Sequence, residues 1–358
     1  MASVSWSEMV KLVSSQTFKA LVALLIVWAV VFSLIVNVDV LTGAQMAGSV
    51  GILSQLVHGQ KALPMSSQRV PDGGSSIKAW PEKHDTLIAY VYSESAFGRD
   101  NFRYFIRMGL HQAADFVFIF NGPVSIADEV PNWSNIRVVQ RNNTCYDMGA
   151  VGEVMRTDDL WKYYKKFISI NASIRGPFVP YWSDACWSDM YLNKVTDTVK
   201  FVGLTASCWP RGHIQSMIYA TDDIGMGILL DPDHATTGVD DVYGTADATV
   251  GLSGCYNGHK SAVHSEIGLA TLITNAGYQV DAMMAAFHHE EGIEEYCRTS
   301  GNGTGDVLLP NQYFGTDVHP YETIFFKTNR KIHSVGIGQL TAWHLRRNVT
   351  AMDLCPAM

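Results

Sequence analysis

NIRVVQRNNTCYDMGAVGEVM at residues 135–155 and KFISINASIRGPFVP at residues 166–180 each run from a short β-prone segment into polar, Gly-containing loop chemistry. Residues 136–140 and 167–170 read as short β-prone strands, and residues 149–161 between them as a helix. Working outward, residues 86–92 and 116–120 are two earlier strand candidates, with a helical pattern at 102–111. Later, residues 199–204 and 280–285 read as strands, residues 214–230 and 261–276 as helices, and the Gly-, Asp- and Thr-rich stretch 231–258 as irregular. Short strands alternating with helices imply an α/β domain with a mostly parallel sheet flanked by helices. In such sheets the ligand sits beyond the carboxyl ends of the strands, where strand order reverses. The residues to inspect are therefore Ser93 and Glu94, Asn121 and Gly122, residues 141–147, and residues 171–177.

The chain has 358 residues, 47% apolar and 17% charged, enough to bury a sizeable core. Its 26 Lys and Arg against 34 Asp and Glu give a net charge of −8, and no basic run exceeds a pair such as Arg346 and Arg347. Nucleic acid is not an expected partner. Residues 20–36 are apolar apart from Ser33, and with Val38, Val40 and Leu41 they approach the roughly 20 residues that a helix needs to cross a bilayer. Lys11 and Lys19 before this run and Asp39 after it favour a cytoplasmic N-terminus. The expected organisation is a cytoplasmic tail (1–19), a transmembrane signal anchor (20–41), a stem (42–85), a lumenal domain (86–345) and a C-terminal tail (346–358). That is a single-pass type II protein of the Golgi or endoplasmic reticulum membrane. A cleaved signal peptide is the rival reading, with small residues at Thr42 and Ala44 for the cut. Six cysteines lie beyond the apolar run, none in a C-x-x-C pair, which allows one to three disulfides and disfavours zinc. Sequons at Asn132, Asn142, Asn171, Asn302 and Asn348 fit a secretory address.

The segments at 135–155 and 166–180 resemble polysaccharide glycosyltransferases related to rhamnan synthesis proteins, which pair R/P-N-x-G-x-D-x-G with a later N-x-S-x-x-G-P. HSEIGLATLITNAGYQVDAM at residues 264–283 is similar to the acidic residue, helix and Gly-Tyr-strand pattern late in inverting GT-A enzymes. HPYETIFFKTNR at residues 319–330 resembles a P-[YF]-E-x-x-F-x-K-x-N-R closing motif of eukaryotic relatives, so the resemblance spans about residues 86–330. It implies a GT-A-like enzyme that moves a sugar from a nucleotide-sugar donor to a glycan or glycoprotein acceptor, with inversion.

Under that resemblance Glu266 is the expected general base, with His264 as a weaker candidate, although a first-turn Glu also complements a helix dipole. Around the donor, Arg141 would pair with a diphosphate, Asn143 and Asp147 would hold hydroxyls, and Gly149 would open a helix near the anion; plain helix capping is the alternative for this loop. Cys145 stands where relatives have Gly, so the turn requires a negative φ or a bridged cysteine. Asn171 and Ser173 stand where metal-dependent GT-A enzymes place Asp-x-Asp, and both are poor ligands for Mn2+ or Mg2+. Either Asp184 and Asp189 hold the cation, or Arg175 neutralises the departing diphosphate in a metal-independent reaction. His213 is expected to contact donor or acceptor, and Glu322 and Lys327 to brace the site or bind phosphate. Two other function classes remain open: a non-catalytic glycan-binding protein that keeps the fold, and a glycoside hydrolase using paired carboxylates.

Overall fold

The structure is a computed structural model that describes residues 84–289 and 292–355. The apolar run at 20–36, with its tail and stem, lies outside the described residues, and among the described residues no helix is long and apolar enough to cross a membrane.

The chain order is β1 (Thr86–Tyr92), α1 (Ala96–Met108), β2 (Asp115–Asn121), β3 (Ile136–Arg141), α2 (Tyr146–Arg156), β4 (Lys166–Asn171), β5 (Ile174–Arg175), α3 (Trp187–Leu192), β6 (Val199–Ser207), β7 (His213–Asp222), α4 (Asp223–Leu230), α5 (His259–Asn275), β8 (Gln279–Ala282), α6 (Ile293–Arg298), α7 (Pro320–Thr323), β9 (Phe326–Lys327) and α8 (Ser334–Arg347). Seven strands form one sheet in the order β3-β2-β1-β4-β7-β6-β8, and β5 pairs with β9 in a separate ribbon. All neighbours in the large sheet are parallel except at β7, which runs against both β4 and β6. The mostly parallel α/β sheet expected from the sequence is therefore present.

β1 and β2 are buried along their whole length, so they read as unbroken apolar runs. One face of α1 sets Phe102 and Phe105 against them: Phe105 lies 4.8 Å from Tyr90 and Phe102 lies 5.6 Å from Phe118, centroid to centroid. Each such ring contributes about 1.5–3 kcal/mol on burial. The chain leaves β1 on one side through β2 and β3 and resumes on the other with β4, so a crevice opens at the carboxyl ends of β1 and β4.

Three expectations need correction. Residues 214–230 are not one helix: β7 occupies 213–222, and Asp222 then caps α4 by accepting from the Gly225 amide at 2.9 Å. Ile214, Met217 and Ile218 mimic helical spacing because β7 is buried on both faces and shows no alternation. Secondly, α2 begins at Tyr146 and ends at Arg156, where Asp158 and Asp159 take positive φ and a 3-10 turn follows. Thirdly, α1 starts at Ala96, capped by the Ser95 hydroxyl at 3.0 Å.

The irregular stretch 231–258 packs on α2. A Cβ on Gly152 would lie 1.7 Å from the Leu252 carbonyl oxygen, and one on Gly149 would lie 2.5 Å from the Cys145 Cβ and 2.9 Å from the Gly254 oxygen. All six cysteines pair, as Cys145–Cys255, Cys186–Cys355 and Cys208–Cys297. Within the stretch read as a tail, residues 351–354 form a short helix with Ala351 buried, joined to the start of α3 by Cys355.

The Gly152 contact predicts the cost of filling it. Gly152→Ala should destabilise by about 1–3 kcal/mol or more, because backbone must move to admit the methyl. Gly238→Ala, at φ +68 with no atom within 4 Å, should cost only about 1 kcal/mol. Urea denaturation of the two variants checks the difference, and equal midpoints would contradict the packing.

Candidate functional site

A cleft of about 660 Å3 opens beyond the carboxyl ends of β1 to β4. Val91 lies in β1 and Ser93 follows it, Asn121 ends β2, residues 143–147 follow β3, and Asn171 ends β4 with residues 172–173 after it. Asn257 and Asn329 complete the polar lining, and the exposed rings of Phe97 and Tyr146 stand in its walls. Five of these residues are Asn, and Asp147 is the only charged one. Such a surface donates and accepts hydrogen bonds without net charge, as hydroxyls and base edges require.

The β3–α2 loop places Asp147. Cys145 and Tyr146 both take left-handed φ, +66 and +51, and the Cys145 amide donates to Asn257 Oδ1 at 3.1 Å. Of the two options the sequence left, a negative φ or a bridged cysteine, the structure has the second: Cys145 keeps a positive φ and is bonded to Cys255. Asp147 Oδ2 accepts from Asn171 Nδ2 at 2.7 Å and Oδ1 from the Met148 amide at 3.1 Å. Burial raises the Asp147 pKa, and the nearby Glu266 charge raises it further.

Asn171 is consumed by its neighbours. Its Oδ1 accepts from the Ser173 amide at 3.1 Å and the Ser173 hydroxyl at 2.6 Å, closing an Asx-type turn. Asp184 and Asp189 are exposed and do not line the cleft. The residues present do not fit Mn2+ or Mg2+: one carboxylate, already accepting twice and biased towards its neutral form, is not a hard-oxygen ligand set. Among the described residues the one tight group of His, Cys, Asp or Glu is His111 with Cys186 and Cys355, and those two cysteines are bonded to each other.

Behind this turn lies a charged wall. β4 pairs with β7 only as far as Ile170 opposite Ile218, so residues 213–217 of β7 run past the end of β4. There Ser216 donates from its amide and its hydroxyl to Glu266 Oε1, each at 3.2 Å, and holds a half-buried carboxylate brought by α5. His213 donates from Nδ1 to the Arg211 carbonyl at 2.9 Å; burial lowers its pKa, leaving Nε2 as an acceptor. The β5–β9 ribbon pairs Ile174 with Lys327, and the Thr328 amide donates to the Ser173 carbonyl at 3.2 Å. Lys327 therefore stands against the Asn171–Ser173 turn. Burial lowers its pKa, Glu266, Asp306 and Asp147 oppose that, and Arg330 adds to it.

His213, Glu266 and Lys327 are not among the residues that line the cleft, and the remaining expected residues are committed elsewhere. Arg141 is 7% exposed at its side chain and spends its donors on Glu153, Asn121, the Asn142 carbonyl and Thr144, so it staples the loop and is not free for a diphosphate. Gly149 faces Gly254 and Cys255 and not the cleft. Arg175 donates to Asn101 Oδ1 at 3.0 Å and Thr341 Oγ1 at 3.2 Å, and does not line the cleft. His264, 1% exposed, pairs with Asp241 at 2.7 Å and anchors the 231–258 stretch; two residues from Glu266, it occupies another face of α5. Glu322 accepts from the Ala285 amide at 2.6 Å and the Tyr313 hydroxyl at 2.5 Å, a brace between loops. Asp306 escaped sequence reasoning. Its carboxylate accepts from Gln215 Nε2 at 3.0 Å and Arg330 Nη1 at 3.1 Å, and no motif marks it in its Gly-rich loop.

No family model matches the chain, and no curated protein matches it. Among solved structures it is similar to a mannosyltransferase from Pyrobaculum calidifontis in complex with GDP-Man and Mn2+, at 10% identity and a TM-score of 0.34, over 78% of this chain and 77% of that one.

The raised pKa of Asp147 makes its charge a burden on the folded state. A carboxylate whose folded pKa exceeds its unfolded value, about 3.9, destabilises the fold as pH rises past that value, and fully once pH exceeds the folded one. Asp147→Asn should therefore melt at a higher temperature than the parent at pH 8 and at the same temperature near pH 3.5. Paired thermal melts test this, and a less stable variant at pH 8 would refute the assignment.

Proposed function

We propose that this chain is a GT-A-like glycosyltransferase that takes a nucleotide-sugar donor in the cleft and passes the sugar, with inversion, to a glycan or glycoprotein acceptor. One observation carries the reading. Asp147, fixed by Asn171, lines the cleft, and Glu266, held by Ser216 on β7 beyond the end of β4, is a second carboxylate whose charge acts on it.

The roles follow from that placement. The neutral amides and the rings of Phe97 and Tyr146 suit a base and ribose. Asp147 accepts hydrogen bonds from ribose or sugar hydroxyls. The second oxygen of Glu266, which has no hydrogen-bond partner among the described residues, takes the proton of the acceptor hydroxyl. As the acceptor oxygen bonds to the anomeric carbon, the bond from that carbon to the diphosphate oxygen breaks, and the electron pair leaves with the nucleoside diphosphate. The resemblance to rhamnan synthesis-related enzymes, carried by the loops after β3 and β4, supports the same roles.

The address is part of the proposal. Three disulfides favour an oxidising compartment, and Asn132, Asn142, Asn302 and Asn348 are exposed sequons. Asn171 is half-buried and held by Asp147, out of place for a glycan. With residues 20–41 as a signal anchor, the domain faces the lumen of the Golgi or endoplasmic reticulum. A glycan-binding protein without turnover is the second reading, favoured by Asn171 and Ser173 standing where carboxylates would bind metal.

The purified chain, incubated with a panel of nucleotide sugars and glycan acceptors, should release nucleoside diphosphate. Glu266→Gln should lower kcat by about 10²–10⁴-fold with little change in donor affinity. Asp147→Ala should weaken donor binding by about 10–100-fold, the loss of charge-assisted hydrogen bonds. Donor binding without release from any pair would select the second reading, and no binding of any nucleotide sugar would sink both roles.

A further inference from the structure

We propose that the Lys327 ammonium, and not a divalent cation, neutralises the diphosphate that leaves during transfer, so that turnover needs no metal. The inference rests on the glycosyltransferase reading above.

Breaking the sugar–phosphate bond puts an additional negative charge on the leaving diphosphate, and something beside the turn after β4 must stabilise it. A cation there would need two or more free hard oxygens. The turn offers none that is uncommitted. Asn171 Oδ1 holds the Ser173 amide and hydroxyl, Asn171 Nδ2 presents a donor to Asp147, and Ser173 Oγ is itself the donor in its short bond. Metal entry would break three hydrogen bonds to gain one carboxylate.

Lys327 sits on the strand paired beside that turn, outside the residues that line the cleft. The pairing of Ile174 with Lys327 and the bond from the Thr328 amide to the Ser173 carbonyl fix its backbone to that turn. Its side chain is half-buried, yet the ammonium makes no hydrogen bond or ion pair with any described residue. Glu266, Asp306 and Asp147 act on it only through space. Three neighbouring guanidiniums are committed, Arg330 to Asp306, Arg175 to Asn101 and Thr341, and Arg141 to Glu153, while Arg211 donates to Thr271 and lies 3.6 Å from Asp241 with its Nε and Nη2 unbonded. A partly desolvated cation held without a partner costs stability, and an incoming diphosphate would supply the missing acceptors. In the reaction the C1–O bond to the diphosphate breaks with its electron pair, the acceptor oxygen bonds to C1, Glu266 takes the acceptor proton, and Lys327 keeps its own.

The test uses the purified chain treated with EDTA and dialysed, with UDP, GDP and the parent nucleosides as probes in calorimetry. The nucleoside diphosphate of the matching base should bind without metal, and Mn2+ should change its affinity by less than about 2-fold. Lys327→Met should weaken that diphosphate by about 10-fold or more and leave the nucleoside unchanged, with Lys327→Arg restoring part of the loss. The Met variant should melt no lower than the parent, since it removes an unpaired charge. Sugar transfer should persist in EDTA and fall by about 10²–10³-fold in Lys327→Met. Diphosphate binding or transfer that appears only with Mn2+, or is indifferent to Lys327→Met, overturns this inference while leaving the glycosyltransferase reading intact. Wild-type chain that binds no nucleoside diphosphate with or without Mn2+ overturns both.

Discussion

The left-handed turn at Cys145, closed by its disulfide to Cys255, is the constraint on which the rest of the site depends. A non-glycine residue pays about 1–2 kcal/mol to sit there, while a disulfide that closes a long loop typically contributes about 2–4 kcal/mol, so the bridge more than offsets the turn. Two consequences follow. The turn aims Asp147 at Asn171, and the bridge ties α2 to the end of the 231–258 stretch, from which α5 departs. The glycines on α2 let that stretch approach backbone to backbone. Asp147 and Glu266, 119 positions apart by their numbering, reach one neighbourhood because of this contact.

The charges around the cleft are divided by function. Arginines are spent on structure: Arg141 on its own loop, Arg175 on α1 and α8, Arg330 on Asp306. Their planar forks suit several simultaneous acceptors, which is what closing a loop requires. Lys327 carries a charge with no hydrogen-bond partner among the described residues, and Asp147 a carboxylate that burial penalises. Groups held at a cost to stability mark functional sites more reliably than groups that are well paired.

The legible part of the sequence was the first half of the sheet. β1, β2 and β4 are short apolar runs with polar residues at their carboxyl ends, and burial on both faces leaves little else for such runs to be, while β3 at the sheet edge is only half-buried. The same double burial hid β7, since a central strand without alternation can share the spacing of a helix. At the strand ends the residues were legible but their directions were not. Asp147, Asn143, Asn171 and Ser173 line the cleft, whereas Arg141, Gly149 and Arg175, from the same segments, turn into the protein. One position of difference along a loop reverses a side chain, and only packing decides which way. Asp306 was beyond reach because its partners Gln215 and Arg330 come from distant elements.

The reversed strand explains how the charged wall arises. Parallel strands deliver their carboxyl ends to the ligand edge, and each is followed there by a loop. β7 runs the other way, so its amino-terminal residues occupy that edge as regular backbone, paired with β6 at His213 to Gln215. Ser216 lies within β7 at the register shift between the Gln215 and Tyr219 pairings with β6, where its amide and hydroxyl are turned to Glu266. α5 packs along β7 and brings that carboxylate from outside the sheet. The neutral cleft is built from loops after parallel strands, which adapt to a ligand. The charged wall behind it is built on a strand and a helix, which do not.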